Sequence, residues 1–205
     1  MNCRVKICGI TNIEDAVLAC DLGADALGFV FYPPSPRAIS AHAANEIVKQ
    51  LPPFVVPIAL FVNASVEEIN SVISQNKRWL IQFHGDESDA FCSQFNTNFV
   101  KALRVKEGCD IMAEIQRFPS ASAILLDTFK AGVPGGTGES FNWDLVPTSA
   151  PKPLILAGGL TADNVLQAVT QVQPYAVDVS GGVELTKGIK DPLKLEQFIT
   201  GAKRG

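Results

Sequence analysis

The sequence lacks the marks of several protein classes. Its five cysteines, Cys3, Cys8, Cys20, Cys92 and Cys109, are odd in number, scattered and never at CxxC spacing, which excludes a disulfide framework and a zinc-ribbon pattern and leaves reduced thiols. Its apolar runs, such as "VVPIALFV", are far too short to span a bilayer, and the N-terminus has no signal-peptide core. The cytoplasm is the expected compartment. Basic charge is not in excess, with 17 Lys and Arg against 21 Asp and Glu and a pI near 5.2. A nucleic-acid surface or a polybasic membrane patch is therefore not expected, and an anionic small molecule would need local positive potential. Tyrosine is scarce, two against twelve Phe, while hydrophobic residues make up 47% and charged residues 19% of the chain. That balance is an ordinary globular core without a disorder signature.

Short β-rich runs alternate with helical patterns along the whole length, which predicts parallel βα units. The strands read as "RVKICG" (4–9), "ALGFVFY" (26–32), "VVPIALFV" (55–62), "WLIQFHG" (79–85), "FVKALRV" (99–105), "AILLDTF" (123–129), "PLILAGG" (153–159) and "AVDVSG" (176–181). Thr11 with Glu14 and Ser65 with Glu68 stand at capping-box spacing, and Thr161 opens the helical pattern "TADNVLQAVTQV". The weakest helix is the sixth, "FNWDLVPTS", which is short and ended by Pro147. Eight units at roughly 25 residues each predict one (β/α)₈ TIM barrel over residues 1–205, with little room for a second domain. The competing architecture, an open doubly wound sheet, would carry a GxGxxG turn after the first strand. "CGIT" stands there instead, and the glycines gather late, in "GVPGGTGE", "AGGL" and "VSGGVE".

Chemistry in a barrel collects at the C-terminal ends of the strands. Cys8 ends the first strand there, His84 the fourth and Asp127 the sixth, Asp178 and Ser180 end the eighth, and Arg37 lies in the loop after the second. Cys8 has an equally good structural explanation, because a free thiol packs as a small hydrophobe. Asp127 closes the buried run "AILLD", where an ionisable group needs a partner or a task. His84 reads first as a hydrogen-bonded rim residue. Arg37, behind the stiff "PPSP", is either a solvated charge or a guanidinium held for a carboxylate. The glycine clusters are either tight turns or, through bare N–H groups and a helix N-terminus, an anion nest. Lys6 shares a strand face with Cys8 and stands level with the eighth strand, so it either tunes the thiol or pairs with Asp178.

In order along the chain, "KICGIT", "FYPPSPR", "QFHG", "LLD", "GGTG", "LAGGL" and "DVSGGVE" resemble the phosphoribosylanthranilate isomerase family of tryptophan biosynthesis. The resemblance runs from the first strand to the last. Two positions depart from the family pattern: Phe83, where leucine is commoner, and Gly181, where a second serine usually stands before "GVE". The resemblance implies a (β/α)₈ barrel without metal or organic cofactor and an Amadori rearrangement of N-(5-phosphoribosyl)anthranilate. It implies Cys8 as general base, Asp127 as general acid and Arg37 at the anthranilate end, with His84 and Asp178 as further substrate contacts. It places the phosphate on Gly136, Gly138, Gly158, Gly159, Ser180, Gly181 and Gly182. The expected partner is a small phosphoribosyl molecule, and monomer and homodimer both remain open.

The residue types suit that chemistry on their own terms. Opening an aminofuranose needs a proton on the ring oxygen, which a carboxylic acid supplies, and the resulting iminium acidifies the neighbouring C–H enough for a thiolate. The histidine-pathway isomerase performs the same rearrangement but uses an aspartate where Cys8 stands. Indole-glycerol phosphate synthase relies on lysine and glutamate and a longer N-terminus. Outside enzymes, a silent phosphate binder or a thiol sensor would fit parts of the pattern, the sensor requiring a resolving thiol that only Cys3 approaches in sequence.

Overall fold

The computed structural model describes residues 3–106, 108–128 and 142–205. Strand β1 (Arg4–Cys8) pairs in parallel with both β2 (Ala26–Val30) and β8 (Ala176–Val179), so the sheet closes on itself. Between them run β3 (Val56–Phe61), β4 (Leu80–Phe83), β5 (Phe99–Val105), β6 (Ala123–Thr128) and β7 (Leu154–Leu156), each bonded to its sequence neighbours in one closed parallel barrel. This is the expected (β/α)₈ architecture. A strand buried on both faces is apolar almost throughout, and all six residues of β6 are buried.

The two faces of each strand build different things. Outward residues such as Ile7, Phe29, Phe61, Ile81, Leu126 and Val177 form the layer beneath the helices. Inward residues fill the lumen in tiers, as the alternation of strand side chains requires. Val100, Ala102, Ala123, Leu125, Ile155 and Ala176 form an apolar tier, and Cys8, Val30 and Leu60 a smaller one. Lys6, Gln82 and Asp178 are polar residues in the same inward phase, and all three are buried.

Around the barrel lie α1 (Ile13–Asp21), α2 (Ala41–Val48), α3 (Val66–Ile73), α4 (Asp89–Ser93), α5 (Ile111–Gln116), α6 (Val165–Val172) and α7 (Pro192–Arg204). The capping box at Ser65 and Glu68 forms with both reciprocal bonds. The one expected at Thr11 does not: Asn12 caps α1 through Asp15, and the Thr11 hydroxyl donates to the Gly188 carbonyl at 2.6 Å. Thr161 opens a turn rather than the helix, which starts four residues later at Val165. Of the sixth helical pattern, the described residues form only a 3₁₀ turn, Trp143–Leu145, consistent with the proline that follows it.

After β8 comes a 3₁₀ turn, Gly181–Val183, then a small antiparallel hairpin of β9 (Glu184–Thr186) and β10 (Ile189–Lys190) that leads into α7. The backbone N–H of Lys190 donates to Asp15 of α1, and Lys190 Nζ reaches the Cys8 carbonyl at 2.7 Å. The hairpin is thereby fixed over the end of β1. Among the described residues no helix is long and apolar enough to cross a membrane.

Candidate active site

The C-terminal ends of the strands enclose a cleft of ≈ 910 Å³ lined by Cys8, Arg37, His84, Asp127, Asp178 and the glycine loops after β7 and β8. Every candidate side chain named from the sequence within the described residues therefore meets at one end of the barrel. Gly136 and Gly138 lie outside the described residues.

Cys8 is the inward residue that ends β1, and its register partner on β2 is Gly28. A Cβ on Gly28 would stand 2.8 Å from the Cys8 sulfur and 3.1 Å from Lys6 Cε. Only a bare backbone leaves room for thiol and lysine together. Lys6 is level with Asp178 across the β1–β8 seam, and its Nζ donates to Asp178 Oδ1 at 2.8 Å. The two roles open for Lys6 coexist, since the lysine that pairs with Asp178 also stands beside the thiol, both against Gly28. Burial works against the Lys6 charge, but Asp178 and Cys8 more than offset it and raise its pKa above the ordinary lysine value. Burial also pushes the Cys8 thiol above its ordinary pKa, and Lys6 and Lys190 pull against that rise. The surroundings of the sulfur therefore favour its anion, while burial keeps the resting thiol protonated to higher pH.

Asp127 is held from two sides. Its Oδ1 accepts from the Thr128 N–H at 2.8 Å, and its Oδ2 lies 3.1 Å from His84 Nε2. His84 Nδ1 in turn lies 3.0 Å from the Gln82 amide nitrogen. With that amide donating to Nδ1, the ring proton sits on Nε2 and points at Asp127. His84 is thus hydrogen-bonded on both ring nitrogens and set against the Asp127 carboxyl. Its loop is clamped by Glu87, which accepts from the Gly85 and Asn63 N–H groups and pairs with buried Lys101 at 2.8 Å.

Arg37 reaches the cleft with its guanidinium bonded at 2.7 Å through both Nε and Nη2 to Glu184. The glycine loops pack against each other and against the acid. Gly158 has φ +81°, and a Cβ there would overlap Thr128 and come within 2.9 Å of Asp127 Oδ1. A Cβ on Gly182 would overlap the Leu160 carbonyl oxygen, so the loops after β7 and β8 touch backbone to backbone. The Ser180 hydroxyl is buried with no hydrogen-bond partner among the described residues. Gly181 abuts Arg37, since its Cβ would stand 3.2 Å from Nη2. The departure from the family pattern at that position bears on the arginine. Cys3 belongs to the layer outside the barrel and Cys8 to the lumen, so Cys3 is no resolving thiol for Cys8. Among the described residues no group of three or more His, Cys, Asp and Glu side chains could hold a metal ion.

The sequence reading missed Gln82, Glu184 and Lys190. Gln82 could have been found as a polar residue in phase with His84 on an inward strand face. For Glu184 and Lys190 the signal was a pair of short β-runs around "TKG".

A family model described as N-(5'phosphoribosyl)anthranilate (PRA) isomerase matches residues 5–201. The chain belongs to the phosphoribosylanthranilate isomerase family. The N-(5'-phosphoribosyl)anthranilate isomerase of Marinomonas sp. (strain MWYL1) is 60% identical over 205 residues, covering 100% of both chains. The crystal structure of phosphoribosyl anthranilate isomerase from Thermotoga maritima superposes with a TM-score of 0.91 at 40% identity, covering 99% of this chain and 100% of the other. Another structure of a family member, in complex with reduced 1-(o-carboxyphenylamino)-1-deoxyribulose 5-phosphate, gives a TM-score of 0.84 at 39% identity and covers 99% of this chain and 100% of the other. Family membership thus spans the whole barrel and includes the strand ends that form the cleft.

Proposed function

We propose that Cys8 and Asp127 are the base and acid of a cofactor-free Amadori rearrangement, carried out by residues 1–205 as one catalytic domain. The activity is that of the family: an isomerase of tryptophan biosynthesis that converts N-(5'-phosphoribosyl)anthranilate to 1-(2-carboxyphenylamino)-1-deoxyribulose 5-phosphate. The observation that carries the assignment is the convergence of a thiol on β1 and a carboxyl on β6 in the cleft walled by the late glycine loops. Asp127 gives a proton to the ring oxygen, the furanose opens and the anilino nitrogen becomes an iminium. The bonds from the Thr128 N–H and His84 Nε2–H receive the charge left on the carboxylate. Cys8 then removes the proton from the neighbouring sugar carbon, giving an enolamine. As that carbon's hydroxyl becomes the ketone its proton returns to Asp127, and the proton held by Cys8 passes to the nitrogen-bearing carbon, so both groups are restored and the net change is an isomerisation.

The thiolate needed for the second step has Lys6, Lys190 and Arg37 as its cations, against Asp178 and Glu184 as anions. Burial, which raises the thiol, is the largest influence and Lys6, which lowers it, the next, which supports a base that ionises only for the reaction. The phosphate is bound by the N–H groups of Gly158–Gly159 and Ser180–Gly182, with the Ser180 hydroxyl, unpartnered among the described residues, in the same loop. Arg37 takes the anthranilate carboxylate, and Asp178 keeps Lys6 in place while lining the sugar end. Complementation of a tryptophan auxotroph lacking this step, together with loss of anthranilate fluorescence from purified enzyme and substrate, tests the reading. Growth and turnover are expected. Tight binding without turnover would reduce the chain to a binder.

A further inference from the structure

Arg37 does not enter the cleft as a free cation. Its Nε donates to Glu184 Oε1 and its Nη2 to Glu184 Oε2, both at 2.7 Å, the side-on bidentate pair that fits a carboxylate to a guanidinium. The pair is well shielded, with side-chain exposures of 13% and 5%. Glu184 is itself pinned: Oε1 accepts from the Gly188 N–H and from Lys190 Nζ, both at 3.2 Å. The same ammonium holds the carbonyls of Cys8 and Ser180. The arginine is thus tied through one carboxylate and one lysine to the backbone of the strand end that carries the thiol. A carboxylate in this position leaves only Nη1 and the outer hydrogen of Nη2 unused on the guanidinium, and those donors form its end-on edge.

We propose that Glu184 is a positioning residue for recognition of the substrate's carboxylate: by occupying the side-on edge of Arg37, it presents the end-on edge to the cleft. The inference rests on the reading of Arg37 as the anthranilate contact. It assigns Glu184 a task the glycine-rich reading of "SGGVE" did not contain. It also separates geometry from charge. Glu184 places a negative charge in the wall of a cleft that binds anions, so on Coulomb grounds alone its removal should strengthen binding. As a positioning residue, its removal should weaken binding of the carboxylate-bearing end only.

The test compares wild type, Glu184→Gln and Glu184→Asp. Glu184→Gln removes the charge, whereas Glu184→Asp keeps it but is one methylene too short to span both nitrogens. Two probes are titrated: reduced 1-(o-carboxyphenylamino)-1-deoxyribulose 5-phosphate and its anilino counterpart without the carboxylate. Wild type should prefer the carboxylated probe. Both variants should lose about tenfold or more of that preference while holding the anilino probe as before, in line with a charge-assisted bidentate contact. In turnover, KM should rise more than kcat falls. Retained preference in either variant overturns the proposal, as does tighter binding by Glu184→Gln or an equal loss for both probes. Failure of both variants to unfold cooperatively makes Glu184 a fold residue and overturns it too. Absence of the preference in wild type refutes the reading of Arg37 instead.

Discussion

Replacing Lys6 by Met should move the ionisation of Cys8 upward by an amount the geometry fixes. The sulfur and Lys6 Cε lie 2.8 and 3.1 Å from the point a Cβ on Gly28 would occupy. They are therefore within about 6 Å of each other, and at an effective dielectric of about 20 a unit charge at that distance is worth about 3 kcal/mol. The sign is fixed: a lost cation destabilises the thiolate, so the thiol pKa rises further above its ordinary value. Asp178, left unpaired, pushes in the same direction. Because an orphaned buried carboxylate also costs about 3–5 kcal/mol of stability, the double variant Lys6→Met, Asp178→Asn is the companion. It removes both charges and should show a smaller rise, since Lys6 outweighs Asp178 at the sulfur. The assay is the pH dependence of iodoacetamide alkylation at Cys8, read on its own peptide by mass spectrometry. Cys3 and Cys92, pushed up by burial to about 11 and about 12, are internal controls. At fixed pH below the transition, alkylation of Cys8 and kcat/KM should both fall about 100-fold in Lys6→Met. An unchanged alkylation profile in a folded Lys6→Met protein would refute electrostatic tuning of the thiol.

Cys8→Ala should unfold at nearly the wild-type temperature yet lose about 10²–10⁴-fold in kcat, the usual worth of a proton-transfer group; steady-state kinetics and calorimetry check both halves. Gly182→Ala forces the loops after β7 and β8 apart at Leu160. It should cost about 1–3 kcal/mol of stability and weaken inorganic phosphate binding, measured by denaturant titration and calorimetry. Ser65→Ala removes the capping box of α3 and should cost about 1 kcal/mol with kcat unchanged, because Ser65 does not line the cleft.

The barrel was legible because its strands are buried on both faces and read as largely apolar runs that alternate with helical patterns along the whole chain. Lys6 with Asp178 was legible for a related reason: closure of the eighth strand on the first sets the two level. The cap of α1 was not, since Thr11 and Asn12 are both good caps one residue apart. The hairpin that takes up the Thr11 hydroxyl is contributed by Gly188, far along the chain. Glu184 and Lys190 were hidden for the same reason, because their partners Arg37 and Cys8 come from the other half of the sequence. The orientation of His84 depends on Gln82 and Asp127, a contact between strands β4 and β6 that no local pattern encodes.

The central claim is that a thiol and a carboxyl in one cleft divide the proton transfers between them. It is tested most directly by the pH dependence of kcat/KM for wild type and Asp127→Asn, with binding of the reduced product analogue measured alongside. Wild type should give a bell whose limbs belong to the thiol–carboxyl pair. Asp127→Asn keeps nearly the same shape and can still accept from the Thr128 N–H, so it should bind the analogue within a few-fold of wild type and lose about 10²–10⁴ in kcat. An Asp127→Asn enzyme that retained both its rate and its acid limb would contradict the account and move the acid to another strand end, with Asp178 the next to test.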